Sequence, residues 1–353
     1  MLTMDKNNDV SNEDNISLSI CIATYNRGEF IAETLECILN QIQVGVEIVV
    51  VDGASSDNTS ALMGEYVAHH PQVRYFQEKI NSGVDADFDK AVGYARGNYC
   101  WLMSDDDLLH DGAIERVLLA LNSLCDLVVV DAEVRNFDMS HLLEKSRLNM
   151  DGDKTYIKGD ENAFFVDVAN HLSFIGCVII KRAVWMERVR KLYYGTLFIH
   201  VGVIFQSPAL SKIHVISDPL VIIRFGNAMW TSKAFDIWIR KWPQLIWGFS
   251  NYPRQAKELV CSTAMKSVIK SVFQYRAKGV YSLVEFRGYF ADSKDNLLKI
   301  ILYGIAILPV RFVNMISVIY VLKNESSKFS IYDLSLSPNA SRLSRWLSRD
   351  LSR

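Results

Sequence analysis

Apolar and polar residues come in blocks along the first half of the chain, and the period changes from block to block. Residues 17–24, Ser-Leu-Ser-Ile-Cys-Ile-Ala-Thr, are a short apolar run that empties into Tyr25, Asn26, Arg27, Gly28 and Glu29. The run predicts a strand and the polar stretch its exit. Phe30, Ile31, Leu35, Ile38, Leu39 and Ile42 then fall at helical spacing over 29–42. Val-Glu-Ile-Val-Val-Val at 46–51 predicts a second strand, followed by the polar loop 52–59 and a helix through about 68. A third strand at 72–76, a Gly-containing loop and helix over 81–96, and a fourth strand at 98–103 complete the series. This β-α-β-α-β-α-β order predicts an α/β fold with a mostly parallel sheet and flanking helices.

Beyond it the pattern predicts a helix over 111–121, a strand at 126–131, and a polar, irregular insertion over 133–160 facing the cleft. A helix over 161–170, a strand at 177–182, a short helix over 184–191, and strands at 213–216 and 220–224 follow. From about residue 231 the chain turns helical and aromatic, with Trp230, Trp238, Trp242 and Trp247 crowding the transition. The expected division is a sheet domain over 17–228 and a helical C-terminal region over 229–353.

The most apolar stretch is 297–322, interrupted by Pro309 and Arg311. Its length allows a membrane span, but a mid-bilayer Arg is costly and the proline would bend it. A helical hairpin, buried or interfacial, is the favoured reading, with ordinary core as the alternative. In the tail, Arg342, Arg345, Arg349 and Arg353 fall on one helical face and Leu343, Trp346, Leu347 and Leu351 on another. A basic amphipathic helix of this kind suits a membrane surface; a capping helix with a solvated basic face fits equally. Membrane-surface contact is thus expected through 297–322 and 339–353.

Charge adds one exclusion. With 38 Lys plus Arg against 40 Asp plus Glu, the net charge of −2 offers no case for nucleic acid as partner. The six cysteines form no CxxC pair, and buried free thiols in a reducing, cytoplasmic compartment are expected. Residues 1–16 are polar and acidic, unlike a signal peptide.

Candidate chemistry gathers at the strand exits, where open α/β sheets bind ligands. The strand ending at Met103 runs into Ser104, Asp105, Asp106 and Asp107. Three adjacent carboxylates repel one another unless a cation arrives, and hard divalent ions suit them. The competing reading is an acidic cap for the helix that follows. Asp52, at the second exit, is placed either to accept from a nucleobase or ribose or, with Ser55, Ser56 and Asp57, to form caps and turns.

Taken together, Ser-Ile-Cys-Ile-Ala-Thr-Tyr-Asn-Arg at 19–27, Val-Val-Asp-Gly-Ala-Ser-Ser-Asp-Asn-Thr at 50–59, Asn81-Ser82-Gly83 and Met103-Ser104-Asp105-Asp106-Asp107 resemble the family 2 nucleotide-sugar glycosyltransferases of GT-A fold, over about residues 17–225. The nearer likeness is to the abequosyltransferase-like branch of O-antigen enzymes. It rests on Asn81, Gly83, Asp85 and Phe88, on Cys100-Trp101, on Lys181-Arg182-Ala183-Val184-Trp185 and on Pro219-Leu220-Val221-Ile222-Ile223-Arg224. The resemblance implies a nucleotide-diphosphate sugar donor, with Thr24, Tyr25, Asn26 and Asp52 around base and ribose, Asp57 in support and Asp85 in the glycine loop. It implies Mg²⁺ or Mn²⁺ at Asp106 and Asp107, Asp107 being the preferred ligand, although Ser104 stands where many relatives carry the first aspartate. It also implies an inverting transfer to a lipid-linked saccharide acceptor by a peripheral enzyme on the inner face of the bacterial inner membrane.

Inverting members usually carry a Glu-Asp pair that supplies the base, and none lies between 185 and 225. His200, in Phe-Ile-His-Val-Gly at 198–202, is the expected base, with Asp85 and Asp167 behind it. Arg224 suits phosphate or a salt bridge to the acidic motif, and Lys233 has a similar option. Two other readings compete. A nucleotidyltransferase predicts a basic Gly-rich loop that Asn26-Arg27-Gly28 matches poorly. The other is a non-catalytic membrane scaffold on a degenerate glycosyltransferase fold.

Overall fold

A computed structural model describes residues 16–227, 233–324 and 327–351. The expected domain boundary at 228/229, together with Trp230 and Arg353, lies outside the described residues. The first four strands are β1 (Leu18–Thr24), β2 (Val46–Asp52), β3 (Val73–Gln77) and β4 (Tyr99–Met103), all parallel in the order β3-β2-β1-β4. Their connections are the helices Ile31–Leu39, Thr59–His69 and Val84–Tyr94. β1, β2 and β4 are buried along their whole length, which is why they read as continuous apolar runs rather than alternating ones.

The second half of the sheet is mixed. β5 (Leu108–Leu109), β6 (Leu127–Arg135), β7 (Leu142–Glu144), β8 (Lys154–Ile157), β9 (Val178–Lys181) and β10 (Lys212–Arg224) extend the order to β3-β2-β1-β4-β9-β6-β10-β5, with β7 on β6 and β8 on β10. β9 runs antiparallel to both its neighbours, and β6 and β10 are parallel.

Two expectations change here. The strands at 213–216 and 220–224 are one strand, β10, whose register against β6 shifts around Pro219, a residue with no N–H to give the ladder. The 133–160 insertion is also more ordered than its polarity suggests. β6 continues to Arg135, and buried Asp131 pins the turn beyond β7. Asp131 accepts the N–H groups of Arg147 (3.0 Å) and Leu148 (2.9 Å) and the Ser146 hydroxyl.

All six cysteines are free thiols, four of them buried and Cys37 and Cys261 half-buried. In the C-terminal region Trp238 and Trp242 pack on Phe198, and Trp247 donates to the Cys261 carbonyl, so these three serve the core. Helices Asn296–Ile307 and Val310–Asn324 meet at a bend of 107°. Among the described residues no single helix is long and apolar enough to cross a membrane.

Candidate active site on the C-terminal rim of the sheet

The parallel register decides which residues can meet. Thr24 pairs with Asp52 across β1 and β2, and Ile22 pairs with Met103 across β1 and β4. The exits of all three strands therefore open on one rim.

On its first side, the loops after β1 and β2 are laced together. Asn26, held at φ 53°, gives its N–H to Ser55 Oγ (2.8 Å) and takes the Ser56 N–H on its side-chain oxygen (2.7 Å). Asp57 receives the N–H groups of Gly28 (3.2 Å) and Thr59 (3.0 Å) and the Thr59 hydroxyl (2.5 Å). Burial tends to raise its pKa, but these bonds prevail and hold the carboxyl below the usual range. A Cβ on Gly28 would sit 2.2 Å from Asn58 Oδ1 and 3.1 Å from the Thr59 nitrogen, so a larger residue there would have to displace the Asn58 side chain. Asp52 is fully buried; Ser55 N–H bonds one oxygen (2.8 Å) and the Tyr75 hydroxyl the other (2.5 Å).

The acidic motif forms the other side. Asp105, Asp106 and Asp107 are all buried at the end of β4. Arg27 reaches over from the first loop: its Nε bonds Asp105 (3.3 Å) and its Nη2 bonds Asp106. Asn227 Nδ2 donates to the same Asp106 oxygen (2.7 Å), and the Ser104 hydroxyl donates to the other. Asp107 accepts the backbone N–H of Arg224 (2.8 Å). Burial, followed by the charge of Asp106, pushes Asp105 up to about 7 against the opposing pull of Arg27. The same two causes raise Asp107.

Arg224 is itself 8 % exposed, with its guanidinium fully engaged. Nε donates to the Asp106 carbonyl (3.0 Å), Nη1 to the Phe137 carbonyl (2.8 Å) and Nη2 to Glu33. The expected salt bridge to an aspartate of the motif is absent among the described residues: Arg224 pairs with Glu33 instead and holds the acidic loop through backbone bonds, the Asp106 carbonyl on its Nε and its own N–H on Asp107.

The donor set for a divalent cation does not assemble. Both Asp106 oxygens face N–H or O–H donors, and no group of three or more His, Cys, Asp and Glu is arranged to hold a metal among the described residues. Of the pair expected to hold Mg²⁺ or Mn²⁺, Asp106 together with Asp105 meets the Arg27 guanidinium, while Asp107 takes the Arg224 N–H.

Three other expected residues lie apart from this cluster. Asp85 is buried, which raises its carboxyl, and it accepts the N–H groups of Leu197 (2.8 Å) and Ile199 (3.1 Å), fixing the loop before helix Ile199–Phe205. His200, in that helix, is 1 % exposed; its Nε2 bonds the Leu172 carbonyl (2.7 Å), and Nδ1 has no partner. Burial lowers it to about 4, so the ring is neutral. Asp167 bonds Lys154 and Tyr156 near β8. Sequence reasoning passed over Tyr75, Glu33, Asn227 and the role of Arg27. Only Arg27 carried a signal, as the cation directly following the Thr-Tyr-Asn exit.

The rim thus holds a buried aspartate at the exit of β2, an acidic motif at the exit of β4, and between them the loop after β1 that bonds to both. Residues 19–186 match the family model described as Glycosyl transferase family 2. The match covers most of the sheet domain, whose mostly parallel sheet with flanking helices is a GT-A-like core. Among similar proteins, abequosyltransferase RfbV of Salmonella typhimurium is 29 % identical over 232 residues, covering 62 % of this chain and 69 % of its own length. Chondroitin synthase of Escherichia coli is 33 % identical over 121 residues, covering 34 % of this chain; the match spans only 18 % of that enzyme. The crystal structure of residues 1–349 of S. aureus TarS superposes with a TM-score of 0.53 over 91 % of this chain and 90 % of that one, at 12 % identity.

Proposed function

We propose that the chain transfers a sugar from a nucleotide-diphosphate donor to a saccharide acceptor in bacterial surface polysaccharide synthesis. The observation that carries this reading is the Arg27 bridge, which joins the loop after β1 to the acidic motif after β4 within a family 2 domain. Supporting it, the similar proteins include an abequosyltransferase and a chondroitin synthase. In this reading Asp52, steadied by Tyr75, and the Thr24–Asn26 loop receive base and ribose, with Asp57 bracing the loop. Arg27 and Arg224 keep the acidic motif compact until the donor arrives. Positioning and charge placement then do most of the catalytic work.

The lipid-linked acceptor, the inverting outcome and the inner-membrane location belong to the same proposal. His200 enters it as the base in one form. With Nε2–H donating to Leu172, Nδ1 holds the free lone pair, and acceptor binding must open a path to it. The alternative role is to fix the Leu172 loop. A pH–rate profile of wild type and His200→Gln separates the two: a base shows a rate that rises through the histidine's pKa and is lost in the variant, whereas a fixing role leaves the profile unchanged. The reading as a whole is tested by release of nucleoside diphosphate from a panel of nucleotide sugars. Turnover of at least one that is lost in Asp107→Asn supports it, and turnover of none contradicts it.

A further inference from the structure

Helices Asn296–Ile307 and Val310–Asn324 are apolar on more than the face they bury. Leu302, Ile305 and Ala306 of the first pack inward, as do Val313, Val318 and Val321 of the second. Yet Leu297, Ile300, Tyr303 and Ile307 form a second stripe on the first helix, at successive turns, and all four are exposed, Ile300 by 68 %. On the second helix Phe312, Met315, Ile316, Ile319 and Tyr320 are exposed in the same way. A helix apolar on opposite faces is at home where both faces leave water, and apolar surface on this scale marks an interaction site.

Three observations choose the occupant. First, the charge differs from that of the whole chain: the helices Asn296–Ile307 and Val310–Asn324 hold Lys299, Arg311 and Lys323 and no acid, in a chain that is net acidic. Second, the exposed set includes aromatics with polar tips, Tyr303 and Tyr320, and Trp346 is 67 % exposed on helix Arg342–Leu347, which also exposes Arg342 and Arg345. Such residues suit the boundary of headgroups and acyl chains. Third, the 107° bend prevents the two helices from crossing a bilayer as one rod, while leaving them able to lie in its surface. We propose that these exposed helix faces and the Trp346 helix are a docking surface for a bilayer containing anionic lipid. The inference stands on surface chemistry alone and does not depend on the catalytic reading.

The test is co-sedimentation of the full chain with vesicles of phosphatidylethanolamine and phosphatidylglycerol, and with vesicles of phosphatidylcholine alone. The expected result is binding to the anionic vesicles that weakens with salt and falls by about tenfold or more in an Ile300→Glu/Ile319→Glu variant. Both positions face solvent, so the variant should melt as wild type does, and an Arg311→Glu/Lys323→Glu variant should lose the salt-sensitive part of binding without touching the apolar stripes. The proposal is overturned by equal partition of wild type and the Ile variant, or by a wild type that stays in the supernatant with anionic vesicles. It is equally overturned if wild type is a stable dimer that the Ile substitutions dissociate, since a second copy would then be the occupant.

Discussion

Replacing Arg27 by Met isolates the electrostatics of the acidic motif. The methionine keeps an apolar stem over Phe30, whose ring centre lies 4.6 Å from the guanidinium carbon, and removes the cation together with its Nη1 bond to the Asn227 carbonyl (3.2 Å). Arg27 and its two partners are each about one-tenth exposed, so this is a buried ion cluster. Breaking such a cluster by removing one partner costs about 3–5 kcal/mol. The cost should depend on pH, with a sign fixed by Asp105. Its folded pKa of about 7 lies above the ordinary 3.8, so the folded state binds its proton more tightly than the unfolded chain. Stability is lost as pH rises through that interval. Without Arg27 the folded pKa rises further, and each additional unit costs about 1.4 kcal/mol once the pH exceeds 7. Urea unfolding of wild type and Arg27→Met at about pH 6 and about pH 8.5 should show a gap that widens at the higher pH by roughly 1–2 kcal/mol. Mn²⁺ should recover more stability in the variant than in wild type, because the two carboxylates lose their competing guanidinium. A gap equal at both pH values, or below about 1 kcal/mol at the higher one, would refute the reasoning.

Other consequences follow from single groups. His171 and His200 are buried neutral with pKa values of about 4, below the 6.5 of an unfolded histidine. Stability should therefore fall as pH drops from about 6.5 to about 4, by on the order of 3 kcal/mol for each ring, and calorimetry of His200→Gln should show its share of that slope removed. Tyr75→Phe frees one side of Asp52. We expect KM for the donor to rise about two- to tenfold with kcat little changed, and unchanged KM would argue against Asp52 as a nucleotide contact. Asp131→Ala removes the acceptor that pins Ser146 to Leu148, and limited proteolysis should then cut first within 142–150.

The parallel half-sheet was legible because β1, β2 and β4 are buried on both faces and its helices are not, so period and polarity switch together at their boundaries. Their common rim followed from the order of elements. The latter half was harder. β9 inserts antiparallel between two strands distant in sequence, and nothing in Val178–Lys181 announces its direction. Pro219 reads locally as a strand break, yet β10 absorbs it as a register shift because β6 continues alongside. The acidic motif was visible as a cluster, but its counter-charge was not. Arg27 lies 78 residues before Asp105, and only the rim geometry brings them together. For His200 the residue type was legible and its surroundings were not, since its burial depends on the loop around Leu172, which the sequence does not place.

The account turns on the acidic motif serving a nucleotide-sugar donor. The most direct measurement is calorimetric binding of a panel of nucleotide-diphosphate sugars to wild type and to Asp107→Asn, with and without Mn²⁺, paired with assay of nucleoside diphosphate release. The account predicts that at least one donor binds and turns over in wild type, and that Asp107→Asn, which keeps an oxygen to accept the Arg224 N–H, melts normally but loses turnover. Wild-type turnover in that variant, or failure of every donor to bind, would contradict it.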